Sequence, residues 1–141
     1  MTVQTYNTEY GVIKVSTPGP YKKYDNVQTY HQTAERDVTL QGPALRAFKK
    51  AEEKCATQKK RHILITGVGY RSFDLQAQLY ASDPGRFANP DSSMHVEALA
   101  VDVDQGQGFL RLRRIKKALQ AQGWHYSVSG EPWHASFHVS G

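Results

Sequence analysis

Two short segments near the C-terminal end bring together histidines and carboxylates. Residues 93–102 read Ser-Met-His-Val-Glu-Ala-Leu-Ala-Val-Asp and contain His95 and Asp102, and residues 131–134 read Glu-Pro-Trp-His and contain Glu131 and His134. Zinc binds imidazole nitrogen and carboxylate oxygen, and a catalytic site with three protein ligands keeps a position for water. The pKa of that water falls to about 7, and a free carboxylate such as Glu131 can take its proton. The two segments therefore predict a metallohydrolase site.

The residues around Asp102 predict a strand that would aim it at the site. Leu99–Asp104 alternates and is rich in β-branched residues, so Asp102 lies on one face of the expected strand. Asp104 shares that face and competes with Asp102 as a ligand. His95 precedes the strand on a loop, and Pro132 favours an extended backbone at Glu131. Strand and loop can thus direct three side chains to one point.

A third segment, Gly-Tyr-Arg-Ser at residues 69–72, offers a guanidinium. Attack on an amide carbonyl develops negative charge on oxygen, which Arg71 could stabilise, and the same fork could bind a substrate carboxylate. Ser72 is expected to cap a helix over Phe73–Ala81. Gln76 lies one turn into that helix, on a face that could meet the cleft. These three residues are predicted to contact substrate.

Aromatic residues between the two zinc-binding segments are further candidates for the cleft. Trp124 and His125 lie in an aromatic stretch just before the Glu131 loop, and His125 could line the cleft or donate a hydrogen bond to an oxyanion. Trp133 is expected to wall the metal pocket and to orient His134. We therefore predict Trp124 and His125 as substrate-binding residues.

The three motifs, in this order, resemble the zinc D-alanyl-D-alanine carboxypeptidases and the L-alanyl-D-glutamate endopeptidases of bacteriophage and bacterial cell-wall lysis. Both belong to the lysostaphin/D-Ala-D-Ala/sonic hedgehog metallopeptidase superfamily, and the resemblance spans roughly residues 63–138. The resemblance favours Asp102 over Asp104 as the zinc ligand. It departs at Ala98, where the family usually has Gly. The matching positions imply that His95, Asp102 and His134 are the zinc ligands and that Glu131 is the catalytic base. They also imply that Arg71 lies beside the zinc and binds substrate.

The resemblance implies a zinc metallopeptidase of the D,D-carboxypeptidase or L,D-endopeptidase type. Its substrate would be an amide bond in the stem peptides of peptidoglycan, and a phage endolysin catalytic domain is the expected setting. The alternatives are a cytoplasmic D-Ala-D-Ala dipeptidase and a non-catalytic zinc-containing binding module. The choice of bond is expected to depend on the loops Asp83–Ser92 and Ser127–Gly130.

Length and composition fit one small domain. The chain has 141 residues and a single cysteine, Cys55, so no internal disulfide can form. We expect one peptidase domain over 1–141, with 1–40 as an N-terminal extension packed on it and the catalytic motifs in 63–138. No apolar run approaches the ~20 residues of a membrane span, and residues 1–10 lack the apolar core of a signal peptide. The protein is thus expected to be made in the cytoplasm and to reach the bacterial cell wall on release, during host cell lysis.

The net charge of +5 favours anionic partners such as a carboxylate-rich, teichoic-acid-bearing cell wall. No nucleic-acid-binding motif is present, and the basic run Arg111–Lys117 contains no aromatic residue, so nucleic acid is not an expected partner. The charges of this run are expected to cover the solvated face of a helix. A monomer is expected. Its fold class is α+β, a small antiparallel central sheet flanked by helices with zinc in a cleft over the sheet. Besides the strand Leu99–Asp104 and the helix Phe73–Ala81, the periodicities predict two more helices, at Pro43–Lys59 and Phe109–Gln122. They predict further strands at Tyr10–Val15, Asp37–Leu40, His62–Thr66, Gly123–Tyr126 and Ala135–Val139.

Overall fold

The computed structural model describes the backbone of residues 3–8, 11–16 and 27–138, and the side chains of 27–138 except that of Asp91. Three helices are described: α1 (Gly42–Cys55), α2 (Phe73–Ser82) and α3 (Phe109–Ala121). Two short 3₁₀ turns are also described. Pro90–Ser92 precedes the strand that begins at Ala100, and Gln105–Gln107 precedes α3. The strands are β1 (Val3–Thr8), β2 (Gly11–Ser16), β3 (Val27–Thr33), β4 (Arg36–Gln41), β5 (Ile65–Thr66), β6 (Ala100–Val103), β7 (Trp124–His125) and β8 (His134–Phe137).

A four-stranded antiparallel sheet with the order β5-β6-β8-β7 carries the motifs. Its central strand β6 pairs with β5 on one side and β8 on the other. In this register Asp102 lies opposite Thr66 in β5 and opposite His134 in β8. The predicted α+β class with a small antiparallel sheet and helices is confirmed.

The remaining strands form two antiparallel hairpins, β1-β2 and β3-β4. The β1-β2 backbone lies beside α2. In β4, the Thr39 amide donates to the Val68 carbonyl at 2.7 Å and the Thr39 carbonyl accepts from the Tyr70 amide at 3.0 Å. The Gln41 amide donates to the Ala98 carbonyl at 2.9 Å. Strand β4 therefore supports both the loop that carries Arg71 and the turn that follows His95.

The core lies between the helices and the sheet. Helices α1 and α3 pack against one another, and Phe48 of α1 meets Trp124 of β7 edge-on, with ring centroids 6.3 Å apart. Burial of each large apolar side chain stabilises the fold by about 1.5–3 kcal/mol relative to exposure. The largest fully buried apolar side chains come from every layer of the domain: Trp124, Phe48, Leu40, Ile63, Ile115, Leu119, Val38 and Val101.

Helix α1 ends at Cys55, four residues before the predicted end at Lys59. The reason lies in α3. Arg111 is buried, and its guanidinium donates to the carbonyls of Cys55, Lys60 and His62. It thus satisfies a terminal helix carbonyl that would otherwise lack a partner. The prediction that the basic run of α3 covers only a solvated face is wrong at Arg111.

Other element boundaries differ by a few residues. Strand β5 begins at Ile65 and not at His62, because the Leu64 amide donates to the side chain of Gln107 instead of a neighbouring strand. Strand β3 was not predicted, because its exposed and buried positions do not alternate regularly. Parts of the predicted extension 1–40, including Tyr10, and Val139 at the predicted end of the last strand lie outside the described residues.

A buried carboxylate joins the β3-β4 hairpin to the rest of the domain. Glu52 of α1 accepts from the Tyr30 hydroxyl at 2.6 Å and from His62 Nδ1 at 3.1 Å through one oxygen. Its other oxygen accepts from Gln32 Nε2 at 2.9 Å and from the Ile63 amide at 3.0 Å. Burial, and then the hydrogen bond to Glu52, raise the pKa of Tyr30 to about 12. All the donors around this charge are therefore fixed by the fold.

Among the described residues, no helix combines the length and the apolar character that crossing a bilayer requires.

Candidate metal centre

Three side chains predicted as zinc ligands converge in the structure. Asp102 and His134 are cross-strand neighbours on β6 and β8, and His95 lies in the turn that leads into β6. One ligand atom from each of the three residues lies within 4.8 Å of the others. His95 is buried, and the other two are half-buried. This group could hold a metal ion, whereas Asp104 lies beyond the end of β6 and accepts from the Gly106 amide at 2.8 Å.

The fold fixes the tautomer of His95. Its Nδ1 lies 2.8 Å from the carbonyl oxygen of Gly69. A carbonyl oxygen only accepts hydrogen bonds, so Nδ1 carries the hydrogen and Nε2 of the neutral ring presents a lone pair. Metal-binding histidines in proteins commonly donate their second ring nitrogen to a carbonyl in this way. The Gly69 contact therefore prepares His95 Nε2 as a ligand.

One ring nitrogen of each histidine lies close to the same carboxylate oxygen of Asp102. His95 Nε2 lies 3.2 Å and His134 Nδ1 3.3 Å from the same oxygen, Oδ1 of Asp102. The two imidazole rings meet edge-on with centroids 5.2 Å apart. A neutral nitrogen lone pair and a carboxylate oxygen repel, so this approach needs a positive species between them, either a proton or a metal ion.

The Asp102 carboxyl is held in its ionised form. Burial alone would raise its pKa, but the neighbouring His134 and His95 side chains outweigh that effect and hold the pKa well below its usual range. An ionised carboxylate beside two imidazoles is the form that binds a divalent cation. The charge state of Asp102 thus matches the role predicted for it.

Arg71 reaches the same carboxylate from the other side. Its Nη2 lies 3.7 Å from Asp102 Oδ2, and its backbone amide donates to the His95 carbonyl at 3.0 Å. Its Nη1 donates to Gln76 Oε1 at 2.8 Å, while Gln76 Nε2 donates to the Ala88 carbonyl at 2.7 Å. Gln76 is buried. The predicted arginine therefore lies at the centre in a fixed orientation.

An open cavity of about 750 Å³ lies over these residues. Its size is within the usual range of small-ligand sites. Glu131 and Trp133 line it together with the three candidate ligands, Arg71 and Gln76. Two loops complete the walls, one over residues 84–88 and one over residues 128–130. These loops belong to the segments from which the sequence predicted bond specificity.

Three residues predicted to bind substrate do not line this cavity. Ser72 accepts from the Leu75 amide at 3.1 Å, which confirms its prediction as the cap of α2 but occupies its hydroxyl there. Trp124 is 1% exposed and packs in the core, because β7 is the far edge strand and turns this side chain toward the helices. His125 points to the opposite face of β7, where its ring lies 5.1 Å from that of His138.

Several residues that support the centre were not identified by the motif patterns. Gly69 has φ +90°, and a Cβ there would lie 3.1 Å from Leu40 Cδ2 and 3.2 Å from the Ala100 carbonyl. Ala98, where the resembled family usually has Gly, has φ 57°. Glycine adopts such a left-handed backbone conformation without steric cost, which explains the preference of the resembled family for Gly at this position. Gln41 is fully buried, and its side chain donates to the Glu97 carbonyl in the turn that follows His95.

Comparison of the chain with family models, with curated proteins and with solved structures found no match. The interpretation of the cavity therefore depends on its own chemistry and on the motif resemblance.

Proposed function

We propose that this protein is a zinc metallopeptidase that hydrolyses an amide bond in the stem peptides of peptidoglycan. The observation that carries the proposal is the convergence of His95 Nε2 and His134 Nδ1 on one oxygen of Asp102, with the His95 tautomer set by the Gly69 carbonyl. Two nitrogens and one carboxylate oxygen are a ligand set that zinc takes in catalytic sites.

Zinc, when bound at His95, Asp102 and His134, would polarise the substrate carbonyl and lower the pKa of water to about 7. Glu131 lines the same cavity and is the general base. Its carboxylate takes a proton from the attacking water as the water oxygen bonds to the carbonyl carbon. Glu131 then gives that proton to the amide nitrogen as the carbon–nitrogen bond breaks, which releases an acid and an amine.

Arg71 supplies positive charge where negative charge develops. Its guanidinium is fixed by Gln76 and lines the cavity beside the ligands. A preorganised donor near the reacting carbonyl stabilises the oxyanion, and the same fork can bind a carboxylate of the substrate. Both roles suit stem peptides, which carry free carboxylates.

The substrate class comes from the motif resemblance and fits the cavity. A volume of about 750 Å³ admits several residues of a peptide, and the net charge of +5 favours an anionic wall. The proposed setting is a phage endolysin that is made in the cytoplasm and acts on the bacterial wall after release.

The test measures zinc content by mass spectrometry and new amino termini released from purified peptidoglycan. Glu131→Gln should keep its zinc and lose about 100-fold or more in turnover, because it lacks the base. Glu53→Gln, at an exposed position of α1, is the matched control and should keep full activity.

Mass spectrometry of the released fragments would name the bond. Zinc binding without amine release from any wall or stem peptide would establish a non-catalytic binding module instead. Cleavage of free D-Ala-D-Ala but not of cell wall would establish a cytoplasmic dipeptidase. Failure to bind zinc would refute the whole assignment.

A further inference from the structure

A second cavity, of about 400 Å³, shares no lining residue with the candidate metal centre. It lies where the segment that follows α1 meets the 3₁₀ turn before α3. It is lined by residues 59–62, Leu64, Asp104, Gly106, Gln107 and Arg111.

The lining of this second cavity is strongly cationic. Lys59, Lys60, Arg61 and Arg111 contribute four positive charges, and Asp104 contributes the one carboxylate. The Asp104 carboxylate already accepts from the Gly106 amide at 2.8 Å. Within residues 27–138, no carboxylate lies at ion-pair distance from Lys59, Lys60 or Arg61. The positive field of the cavity is therefore not neutralised by the described side chains.

Arg111 gives the cavity a fixed charge. It is 6% exposed, and its terminal nitrogens donate to the carbonyls of Cys55, Lys60 and His62, which lie on the segment that forms the rim. Its Nε is buried and has no hydrogen-bond partner among the described residues. Arg111 therefore fixes the segment that carries Lys59, Lys60 and Arg61 and adds a buried positive charge beside the cavity.

We propose that this cavity binds phosphate groups carried by an anionic polyol-phosphate polymer. The lysine and arginine side chains that line this cavity supply the cations that a tetrahedral anion with several acceptor oxygens requires. Such a polymer carries a phosphate in every repeat. Binding to it would keep the protein at the cell wall while the candidate metal centre acts on its substrate. The site operates whether or not the proposed peptidase activity is correct, because the two cavities share no lining residue.

The lining favours a polyol phosphate over nucleic acid. Proteins that bind single-stranded nucleic acid stack the bases on aromatic side chains. Among the described side chains, no Phe, Tyr or Trp lines the second cavity, and His62 is engaged with the Glu52 carboxylate at 3.1 Å. It thus offers contacts to phosphate without a surface for a base.

The test is an NMR titration of the ¹⁵N-labelled protein with inorganic phosphate and with purified poly(glycerol phosphate), at constant ionic strength set by chloride. The double variant Lys60→Gln/Arg61→Gln removes two cations of the cavity. The matched control Lys50→Gln/Arg114→Gln removes the same charge at exposed positions outside it. A dispersed spectrum of each variant verifies that it is folded.

Both probes should shift amides at 59–62 and 104–107. The cavity variant should bind about tenfold or more weakly, and the control variant should bind within about twofold of the wild type. Equal losses in both variants, or shifts no larger than chloride causes, would overturn the site. Binding of phosphate without the polymer would overturn the polymer as ligand, and tighter binding of single-stranded DNA would assign the cavity to nucleic acid. The result should be the same with and without zinc.

Discussion

Gln76 Oε1 accepts a hydrogen bond from Arg71 Nη1 at 2.8 Å, and this contact directs the guanidinium toward Asp102. The orientation of the Gln76 amide group is fixed, because its Nε2 donates to the Ala88 carbonyl at 2.7 Å. A buried residue on α2 thus sets the direction of a charge at the centre. The arginine is held in place before any substrate arrives.

Replacement of Gln76 should therefore impair turnover without removing the metal. In Gln76→Ala the guanidinium loses its fixed acceptor, and we expect kcat/KM to fall about tenfold, which corresponds to about 1.4 kcal/mol of transition-state stabilisation. Zinc content should stay at the wild-type value. Gln120→Ala, at an exposed position of α3, is the control for an equivalent truncation. Loss of zinc in Gln76→Ala would show that the residue acts through the ligands instead.

Zinc should stabilise the fold through the three ligands. A ligand present at a hundred times its dissociation constant adds about 2.7 kcal/mol to the free energy of unfolding. We expect a chelator to lower the Tm of the wild type and to leave that of His95→Ala unchanged. His31→Ala removes an exposed histidine, so it should keep the full response to chelator. An equal response in His95→Ala would place the metal elsewhere.

The Glu52 cluster should be important for stability. Glu52→Ala would leave the Tyr30 hydroxyl, the Gln32 amide and the Ile63 amide without their acceptor in a buried site. A buried donor that is left without its acceptor costs about 1–3 kcal/mol. Urea denaturation should show this loss, while Glu53→Ala on the exposed face of α1 should change the free energy of unfolding by less than about 0.5 kcal/mol. Similar values for the two variants would contradict the assigned role.

Cys55 should be unreactive in the native protein. Burial raises the pKa of its thiol, an effect that Arg111 only partly offsets, and the side chain faces the core. The folded state therefore favours the neutral thiol, so its contribution to stability is present below the ordinary thiol pKa of about 8.5 and is lost as the pH rises above it. Labelling by a thiol-specific disulfide reagent at pH 8 should be slow without denaturant and fast in urea. Rapid native labelling would mean that the thiol is accessible.

The convergence of His95, Asp102 and His134 could be predicted because their types and order are specific to one chemistry. The alternating pattern around Asp102 also gave a strand with the right face. The pairing of β6 with β8, which brings Asp102 and His134 together, is a long-range register that no local pattern specifies. The candidate ligand group could thus be predicted from its chemistry, and the sheet supplied its geometry.

Trp124 and Arg111 show where sequence patterns fail. A two-residue strand has no period from which to tell its core face from its cleft face, so Trp124 was assigned to the wrong one. Arg111 was placed in water because a run of charges on a helix is usually solvated. Its acceptors are carbonyls about fifty residues earlier in the chain, and the sequence alone does not reveal such partners.

The four hydrogen bonds of Glu52 also limit how this domain can be exchanged between proteins. Two of its donors, Tyr30 and Gln32, come from the β3-β4 hairpin, and the other two come from residues 62 and 63. A recombination point between the hairpin and α1 would separate the charge from half of its partners. Viable junctions in natural or engineered chimaeras should therefore fall before Val27, so that the hairpin is inherited together with the segments that form the candidate metal centre.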